Sequence, residues 1–228
     1  MTFRLLTCFS LLAAALPGAA VQGKVELTDA KKKGSAEGVV IWLVPAGAPR
    51  PPAPGKFTLD QRNKRFIPHI LTIPVGSQVD FPNNDPIFHN AFSNFAGQPF
   101  DTGLYAPGTS QKIIFRREGV VRVFCNIHAH MSAVIVVVPS PFYATSKANG
   151  TFRLENVPDG EYTMRIFHER ATESTLAALD RKITVSGDAD LGAIRISETG
   201  YLELGHKNKH GKDYPAVPAE SGPYPGKK

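Results

Sequence analysis

The chain has 228 residues, of which 26 are Lys or Arg and 20 are Asp or Glu. The excess of positive charge is small and spread along the chain, and no recognition helix is indicated, so nucleic-acid binding is not expected. Glycine and proline are frequent, with 20 and 19 residues, and the apolar segments between them are short. This pattern indicates an all-β fold.

The first 20 residues have the pattern of a cleaved secretory signal peptide. Met-Thr-Phe-Arg is followed by the apolar run 5–16 and then by Pro-Gly-Ala-Ala. The run is too short to cross a bilayer, and no later stretch reaches the roughly 18 to 20 apolar residues of a transmembrane helix. We therefore expect a signal peptide over 1–20, no transmembrane segment, and a periplasmic or secreted location.

Cleavage there would remove Cys8 and leave Cys125 as the single cysteine of the exported chain. Such a chain cannot form an internal disulfide, although exported proteins commonly carry them. A lone thiol in this setting is buried and inert, paired with another chain, catalytic, or bound to a metal. The cysteine count alone does not choose among these four interpretations.

Short apolar segments between turn signals predict a series of strands. Along one of them, 120–125, side chains alternate between two faces, so Val121, Val123 and Cys125 share the face toward the core. The segment 125–131 would then be a tight loop between two core strands. The predicted strands lie at 24–27, 39–44, 78–81, 88–92, 112–115, 120–125 and 132–138.

Pro-Ser-Pro at 139–141 suggests a domain boundary, because the pattern of strands and turns in the sequence changes there. Asn149-Gly150 and Asp159-Gly160 predict β-turns between further strands. More strands are expected at 181–185 and 191–196, with a short helical turn at 173–179. Residues 198–228 are polar and predict a disordered tail, in which His206 and His210 would be solvated.

Cys125, His128 and Met131 form a Cys-x-x-His-x-x-Met sequence, and His89 lies 36 residues before the cysteine. A thiolate, two imidazoles and a weak thioether are the donors of a mononuclear blue-copper site. The thiolate donates strongly to copper, and neutral imidazoles suit both Cu(I) and Cu(II), which favours fast one-electron exchange. Asn90 is expected to support the ligand loop through hydrogen bonds, including one to the cysteine sulfur.

Four segments, occurring in order, resemble the cupredoxins of the amicyanin and pseudoazurin type, and more closely the exported plastocyanin-like proteins labelled methylamine utilisation proteins. The resemblance implies a Greek-key β-sandwich over 21–138, with one copper ion ligated by His89, Cys125 and His128 and with Met131 as the axial ligand. The segments are Val-Gly-Ser-Gln-Val-Asp-Phe-Pro-Asn-Asn-Asp (75–85), Phe-His-Asn-Ala-Phe-Ser (88–93), Phe-Asp-Thr-Gly-Leu-Tyr (100–105) and Cys-Asn-Ile-His-Ala-His-Met (125–131).

A second resemblance covers residues 139–197. The sequence Asn-Gly-Thr-Phe-Arg-Leu-Glu-Asn-Val-Pro-Asp-Gly-Glu-Tyr looks like a carboxypeptidase regulatory-like, or transthyretin-like, domain. It implies a small prealbumin-like β-sandwich after the copper domain. Residues 23–45 also resemble the opening of such a domain, so the two units could share strands or pack as one body.

Other interpretations of the cysteine are less well supported by the sequence. A cysteine nucleophile with His89 or His128 as its base would need an oxyanion or hydrolase motif, and none accompanies it. Zinc accepts cysteine and histidine but gains little from a thioether. His130 is expected to face solvent because it stands two residues from His128.

The remaining histidines suggest no second redox centre. His69 and His168 are expected to be structural or surface residues, and seven scattered histidines do not supply the cluster of a multicopper oxidase. We therefore expect a non-enzymatic copper protein that passes electrons through His128 to a redox partner. Copper carriage or storage is an alternative, and so is a surface interaction protein whose second domain binds carbohydrate or protein.

Overall fold

A computed structural model describes residues 18–29, 35–47, 52–94, 98–202 and 205–214. Most of the expected signal peptide, 1–17, and the end of the expected tail, 215–228, lie outside the described residues. Ala19 and Ala20, the last two residues of that expected signal peptide, begin the first strand. Among the described residues, no helix has the length and apolar character that a membrane span needs.

The described residues form seventeen strands and one short helix, which confirms the predicted all-β class. The first nine strands are β1 (Ala19–Leu27), β2 (Val40–Pro45), β3 (Lys56–Thr58), β4 (Asp60–Arg62), β5 (Arg65–Ile67), β6 (Ile70–Pro74), β7 (Gln78–Pro82), β8 (Phe92–Ser93) and β9 (Phe100–Asp101). The others are β10 (Ser110–Ile114), β11 (Gly119–Phe124), β12 (Ser132–Val138), β13 (Tyr143–Thr145), β14 (Thr151–Val157), β15 (Gly160–Phe167), β16 (Arg181–Val185) and β17 (Ala189–Ile196), with α1 (Glu173–Leu179) between β15 and β16.

The metal-loop unit, residues 52–138, is built from two main sheets and a hairpin. The strand order is β6-β12-β11-β8-β9 in one sheet and β10-β7-β3 in the other, while β4 pairs with β5. Both sheets contribute to one core, in which Phe81 of β7 packs with Val121 and Val123 of β11 and with Ile135 of β12. The unit is therefore a β-sandwich with a shared apolar interior.

The second unit consists of the sheets β14-β1-β17 and β13-β2-β15-β16 around a core of its own. β1 lies between β14 and β17, and β2 lies between β13 and β15. The strands of residues 19–45 thus pair with the segment after 138 and not with the metal-loop unit. Without them, β14 and β17 would lose their central partner and expose unpaired edges.

This pairing differs from the expected division into 21–138 and 139–197. The apolar character of a strand does not show which sheet the strand joins. The resemblance of 23–45 to the opening of the second domain did indicate that the two units could share strands. The expected strand at 88–92 also differs. Only Phe92 lies in a strand, and His89 instead forms an isolated bridge with Tyr105.

β12 joins the two units because both of its faces are buried. Ala133, Ile135 and Val137 face the core of the metal-loop unit. The alternate residues Val134 and Val136 pack with Val40 of β2 and with Phe167 of β15, in a third cluster. A continuous apolar strand is the expected sequence for such a two-sided environment.

Part of the expected disordered tail has defined contacts. Within the described residues 205–214, Lys209 and Tyr214 hydrogen-bond to the loop that follows β11. The prediction of disorder therefore differs from the structure at these positions. Polar composition predicted solvation, but here the polar groups find partners on the protein itself.

Candidate metal centre

The loop that carries Cys125 and His128 is closed by its own backbone. Cys125 N–H donates to the carbonyl of Met131 at 3.1 Å, and Met131 N–H donates to the carbonyl of His128 at 3.1 Å. The loop thus leaves β11 and enters β12 directly. Val121, Val123 and Cys125 are each 0% exposed, so the alternation predicted for this strand is confirmed.

His89 reaches the same place from a different part of the sandwich. Its backbone bridges Tyr105, since His89 N–H donates to the Tyr105 carbonyl at 3.3 Å and the His89 carbonyl accepts Tyr105 N–H at 2.9 Å. The imidazole is fully buried, whereas that of His128 is partly exposed. The two rings lie with their centroids 4.7 Å apart.

The three donor atoms of these residues converge. Cys125 Sγ lies 3.8 Å from His89 Nδ1 and 3.5 Å from His128 Nδ1. Metal–donor bonds of about 2.0–2.3 Å at tetrahedral to trigonal angles would separate sulfur and nitrogen by about 3.5–3.8 Å. His89, Cys125 and His128 are thus spaced as ligands of a single metal ion, with all three donor atoms within 4.8 Å of one another.

Asp85 fixes the orientation of His89 from the far side of the ring. His89 Nε2 donates to Asp85 Oδ2 at 2.7 Å, and both side chains are buried. Asp85 also accepts the N–H groups of Asn63 at 2.5 Å and Lys64 at 2.8 Å. Because Nε2 carries the proton, Nδ1 presents its lone pair to the centre, as a metal ligand requires.

The buried setting favours uncharged groups in the metal-free site. Burial lowers the pKa of His89 below its ordinary value, although Asp85 acts in the opposite direction. Burial also raises the pKa of the Cys125 thiol. A catalytic cysteine is usually exposed and has a lowered pKa, so this environment does not suit a nucleophile.

Asn90 links the histidine segment to the cysteine loop. Its Oδ1 accepts Asn126 N–H at 2.7 Å and lies 3.6 Å from Cys125 Sγ. Its Nδ2 donates to Asp101 Oδ1 at 3.3 Å. The side chain therefore stands where the sequence predicted a supporting residue.

The other predicted residues are placed as follows. Met131 is fully buried in the same core as Cys125, and axial ligation by it stays a prediction. His130 is exposed. His69 pairs with Glu169 at 2.7 Å, and His168 pairs with Glu198 at 2.8 Å, which are structural roles.

Sequence reasoning missed Asp85, whose carboxylate orients a donor. The available signal was its place four residues before His89, at the end of the polar run Asn-Asn-Asp. Metal-ligating histidines commonly donate their other ring nitrogen to a carboxylate. The spacing could not be interpreted without knowing that 85–89 is an irregular segment and not a strand.

Neither a protein-family model nor a curated protein matches the sequence. Among solved structures, the chain is similar to a novel purple cupredoxin from Nitrosopumilus maritimus, with 26% identity, 37% of this chain and 99% of that chain covered, and a TM-score of 0.33. A methionine mutant of amicyanin in the Cu(I) state has 16% identity, with 36% and 82% covered and a TM-score of 0.35. A Cu-containing nitrite reductase from Thermus scotoductus SA-01 has 24% identity, with 51% and 28% covered and a TM-score of 0.35. Each likeness is partial, and the function must be argued from the residues of the site.

Proposed function

We propose that this protein binds one copper ion through His89, Cys125 and His128, with Met131 as the axial ligand, and that it transfers single electrons outside the cytoplasm. The observation that carries the proposal is the convergence of a buried thiol and two imidazole nitrogens at 3.5–3.8 Å. A bound copper ion would supply the one-electron chemistry. The protein supplies a rigid donor set.

The donor set favours copper over zinc. One soft sulfur and two imidazoles in a buried site, with a methionine in the adjoining core, suit a trigonal copper site with a weak axial ligand. Structural zinc sites use four firm donors. Among the described residues, no fourth histidine, cysteine or carboxylate joins the group.

The surface near His128 supports electron exchange with a partner protein. His128 is the partly exposed donor. The residues that precede the two histidine ligands in sequence are large, apolar and exposed, with Phe88 at 55% and Ile127 at 43%. Exposed apolar side chains beside the ligands favour transient docking of a partner. Electrons would then pass through the exposed imidazole edge.

From the sequence we also propose that the chain is exported and that its second unit is transthyretin-like. A signal peptide over 1–20 would export the chain, and residues 139–197 with strands β1 and β2 would form the transthyretin-like unit. Mass spectrometry of the exported chain tests the first point. A mature N-terminus far from residue 21 would contradict it.

The copper proposal is tested by loading the protein with Cu(II) and recording its visible absorption and paramagnetic resonance. The wild type should show intense thiolate-to-copper absorption, Cys125→Ser should lose it, and the control His130→Ala, from the same loop, should keep it. Met131→Leu should alter the spectrum, because it removes the axial thioether, whereas Met164→Leu in the other core should not. Wild-type protein that binds copper without this absorption would overturn the proposal.

Electron transfer is tested separately by cyclic reduction and oxidation of the copper-loaded protein in the presence of a Cu(I) chelator. We expect reversible cycles with the copper retained. Loss of copper to the chelator on each reduction would instead favour a carrier.

A further inference from the structure

The C-terminal strap, defined as the described residues 205–214, lies against the two residues that begin the metal loop. Tyr214 hydroxyl donates to the carbonyl of Cys125 at 2.6 Å. Lys209 N–H donates to Asn126 Oδ1 at 3.0 Å. These contacts join residues more than 80 positions apart in sequence, at the point where the thiol leaves β11.

Lys209 closes a ring of hydrogen bonds that contains the supporting asparagine. Its Nζ pairs with Asp101 Oδ2 at 2.6 Å, while the other oxygen of Asp101 accepts Asn90 Nδ2–H at 3.3 Å. Asn90 in turn accepts Asn126 N–H, and Asn126 accepts Lys209 N–H. The strap thus completes the polar network between the His89 segment and the Cys125 loop.

His206 of the strap packs against the sheet at Phe124. Its ring stacks on Phe124, with centroids 4.1 Å apart and planes 23° apart. It meets Tyr214 edge-on at 5.1 Å, and the Tyr214 oxygen lies 3.2 Å from its Nδ1. The stacking holds the strap beside the last residue of β11, which immediately precedes Cys125.

We propose that the C-terminal strap is part of the metal site and that Lys209 and Tyr214 are its positioning residues, which hold the Cys125–His128 loop closed and slow both metal release and attack on the thiol. This inference rests on the proposed copper function for its metal-loaded readouts. The physical reason is that both residues bond to backbone and side-chain groups at the start of the loop. Removing the Tyr214 hydroxyl and the Lys209 ammonium group weakens this network and frees the loop to move, while the three donors stay in the chain.

The first experiment uses metal-free protein, so that it does not depend on copper. The rate at which N-ethylmaleimide modifies Cys125 is measured by mass spectrometry in wild type, Tyr214→Phe, Lys209→Met and the double variant. Because Cys125 is buried, modification requires the loop to open. Lys209→Met removes the pair with Asp101 but keeps the Lys209 N–H bond to Asn126. We expect at least a tenfold faster rate in the double variant, and a slower rate in Lys209→Arg than in Lys209→Met because arginine keeps a cation opposite Asp101.

Matched controls are Lys207→Met, an exposed lysine of the same strap, and Tyr143→Phe, a tyrosine of β13 in the second unit. Both should leave the rate unchanged. Thermal unfolding of every variant shows whether the fold persists. Equal modification rates in wild type and a folded double variant would overturn the proposal.

The second experiment measures transfer of copper from the loaded proteins to a chelator, together with the thiolate-to-copper absorption. Outer contacts of metal ligands typically change metal affinity by about 10- to 100-fold. We expect a loss in that range for the double variant, with an altered spectrum. Unchanged release and spectrum would overturn the role of the strap. Absence of thiolate-to-copper absorption in wild type would overturn only the copper function, because the maleimide rates still test the strap.

Discussion

The donor residues of the site depend on side chains that the motif does not contain. His89 is useful as a ligand only in the tautomer with its proton on Nε2, and the buried carboxylate of Asp85 selects that tautomer. Asp85 is itself held by two backbone N–H groups, from Asn63 and Lys64. Both of those residues adopt φ of 55°, so an unusual backbone turn aims their N–H groups at the carboxylate.

Asp85→Asn should weaken metal binding while the protein still folds. An amide at this position turns either an oxygen or an N–H toward His89, and it cannot accept from all three donors as the carboxylate does. We expect about a 10- to 100-fold loss of metal affinity and about 1–3 kcal/mol less stability. Chelator competition and urea unfolding measure the two effects.

Glu155→Gln is the control, because the Glu155 side chain is 60% exposed and its carboxylate pairs with a similarly exposed Arg153 in the second unit. This substitution should change metal affinity and stability little, since exposed ion pairs contribute about 0–1 kcal/mol. If Asp85→Asn bound the metal as tightly as Glu155→Gln, the Asp85 carboxylate would have no role in orienting His89.

At the scale of elements, alternation and continuity of apolar residues were sufficient for β11 and β12. The pairs Asn149-Gly150 and Asp159-Gly160 marked turns next to β14 and β15, and the helical turn at 173–179 coincides with α1. The strands β3 to β5 were not predicted, because each has only three residues and they carry polar residues such as Gln61 and Arg65. The more apolar β6 was not predicted either. Neither periodicity nor propensity could show that β1 lies between β14 and β17, since such pairing depends on contacts distant in sequence.

Gly150 shows how a turn fixes the position of β1. It has φ of 81°, and Val25 N–H of β1 donates to its carbonyl at 2.9 Å. A Cβ at this position would collide with the carbonyl oxygen of Val25. Gly150→Ala should therefore destabilise the protein by clearly more than the roughly 1–2 kcal/mol that a left-handed backbone alone costs an alanine.

Gly187→Ala is the matched control for the backbone conformation. Gly187 has φ of 74°, and a Cβ there would meet nothing within 4 Å. Its cost should stay near 1–2 kcal/mol. The free energy of unfolding of both variants is measured in urea. Equal losses would show that the Val25 carbonyl of β1 does not clash with a Cβ at position 150.

At the scale of the molecule, both apolar and charged contacts between described residues join the metal-loop unit to the second unit. The apolar contact is the outer face of β12 against β2 and β15. The charged contact is at Glu169, which follows β15 and receives His69 and Arg122 from the metal-loop unit. The sequence predicted that His69 is a structural or surface residue, but it could not identify the partner Glu169, which lies 100 residues away.

His69 makes the contact between the units dependent on pH. Its Nδ1 faces the Ser132 carbonyl at 3.1 Å and its Nε2 faces Glu169 at 2.7 Å, so both nitrogens must donate and the ring is best bound as a cation. The hydrogen bond to Glu169 raises the pKa of His69, against the opposing effects of burial and of Arg122. A raised folded-state pKa gives stability that is fully present below about pH 6.5 and is lost as the pH rises through the folded value.

Urea unfolding of wild type and His69→Gln, at pH 5.5 and at pH 9, should reveal this dependence. The variant should be less stable than wild type at the lower pH, by at most about 1 kcal/mol because the imidazole is half exposed and salt screens the pair. The difference should shrink at the higher pH, where wild-type His69 is neutral. The control His130→Gln replaces an exposed histidine of the metal loop and should match wild type at both values. A difference between wild type and His69→Gln that grew with pH would mean that His69 is bound as the neutral imidazole, and that Arg122 alone carries the charge opposite Glu169.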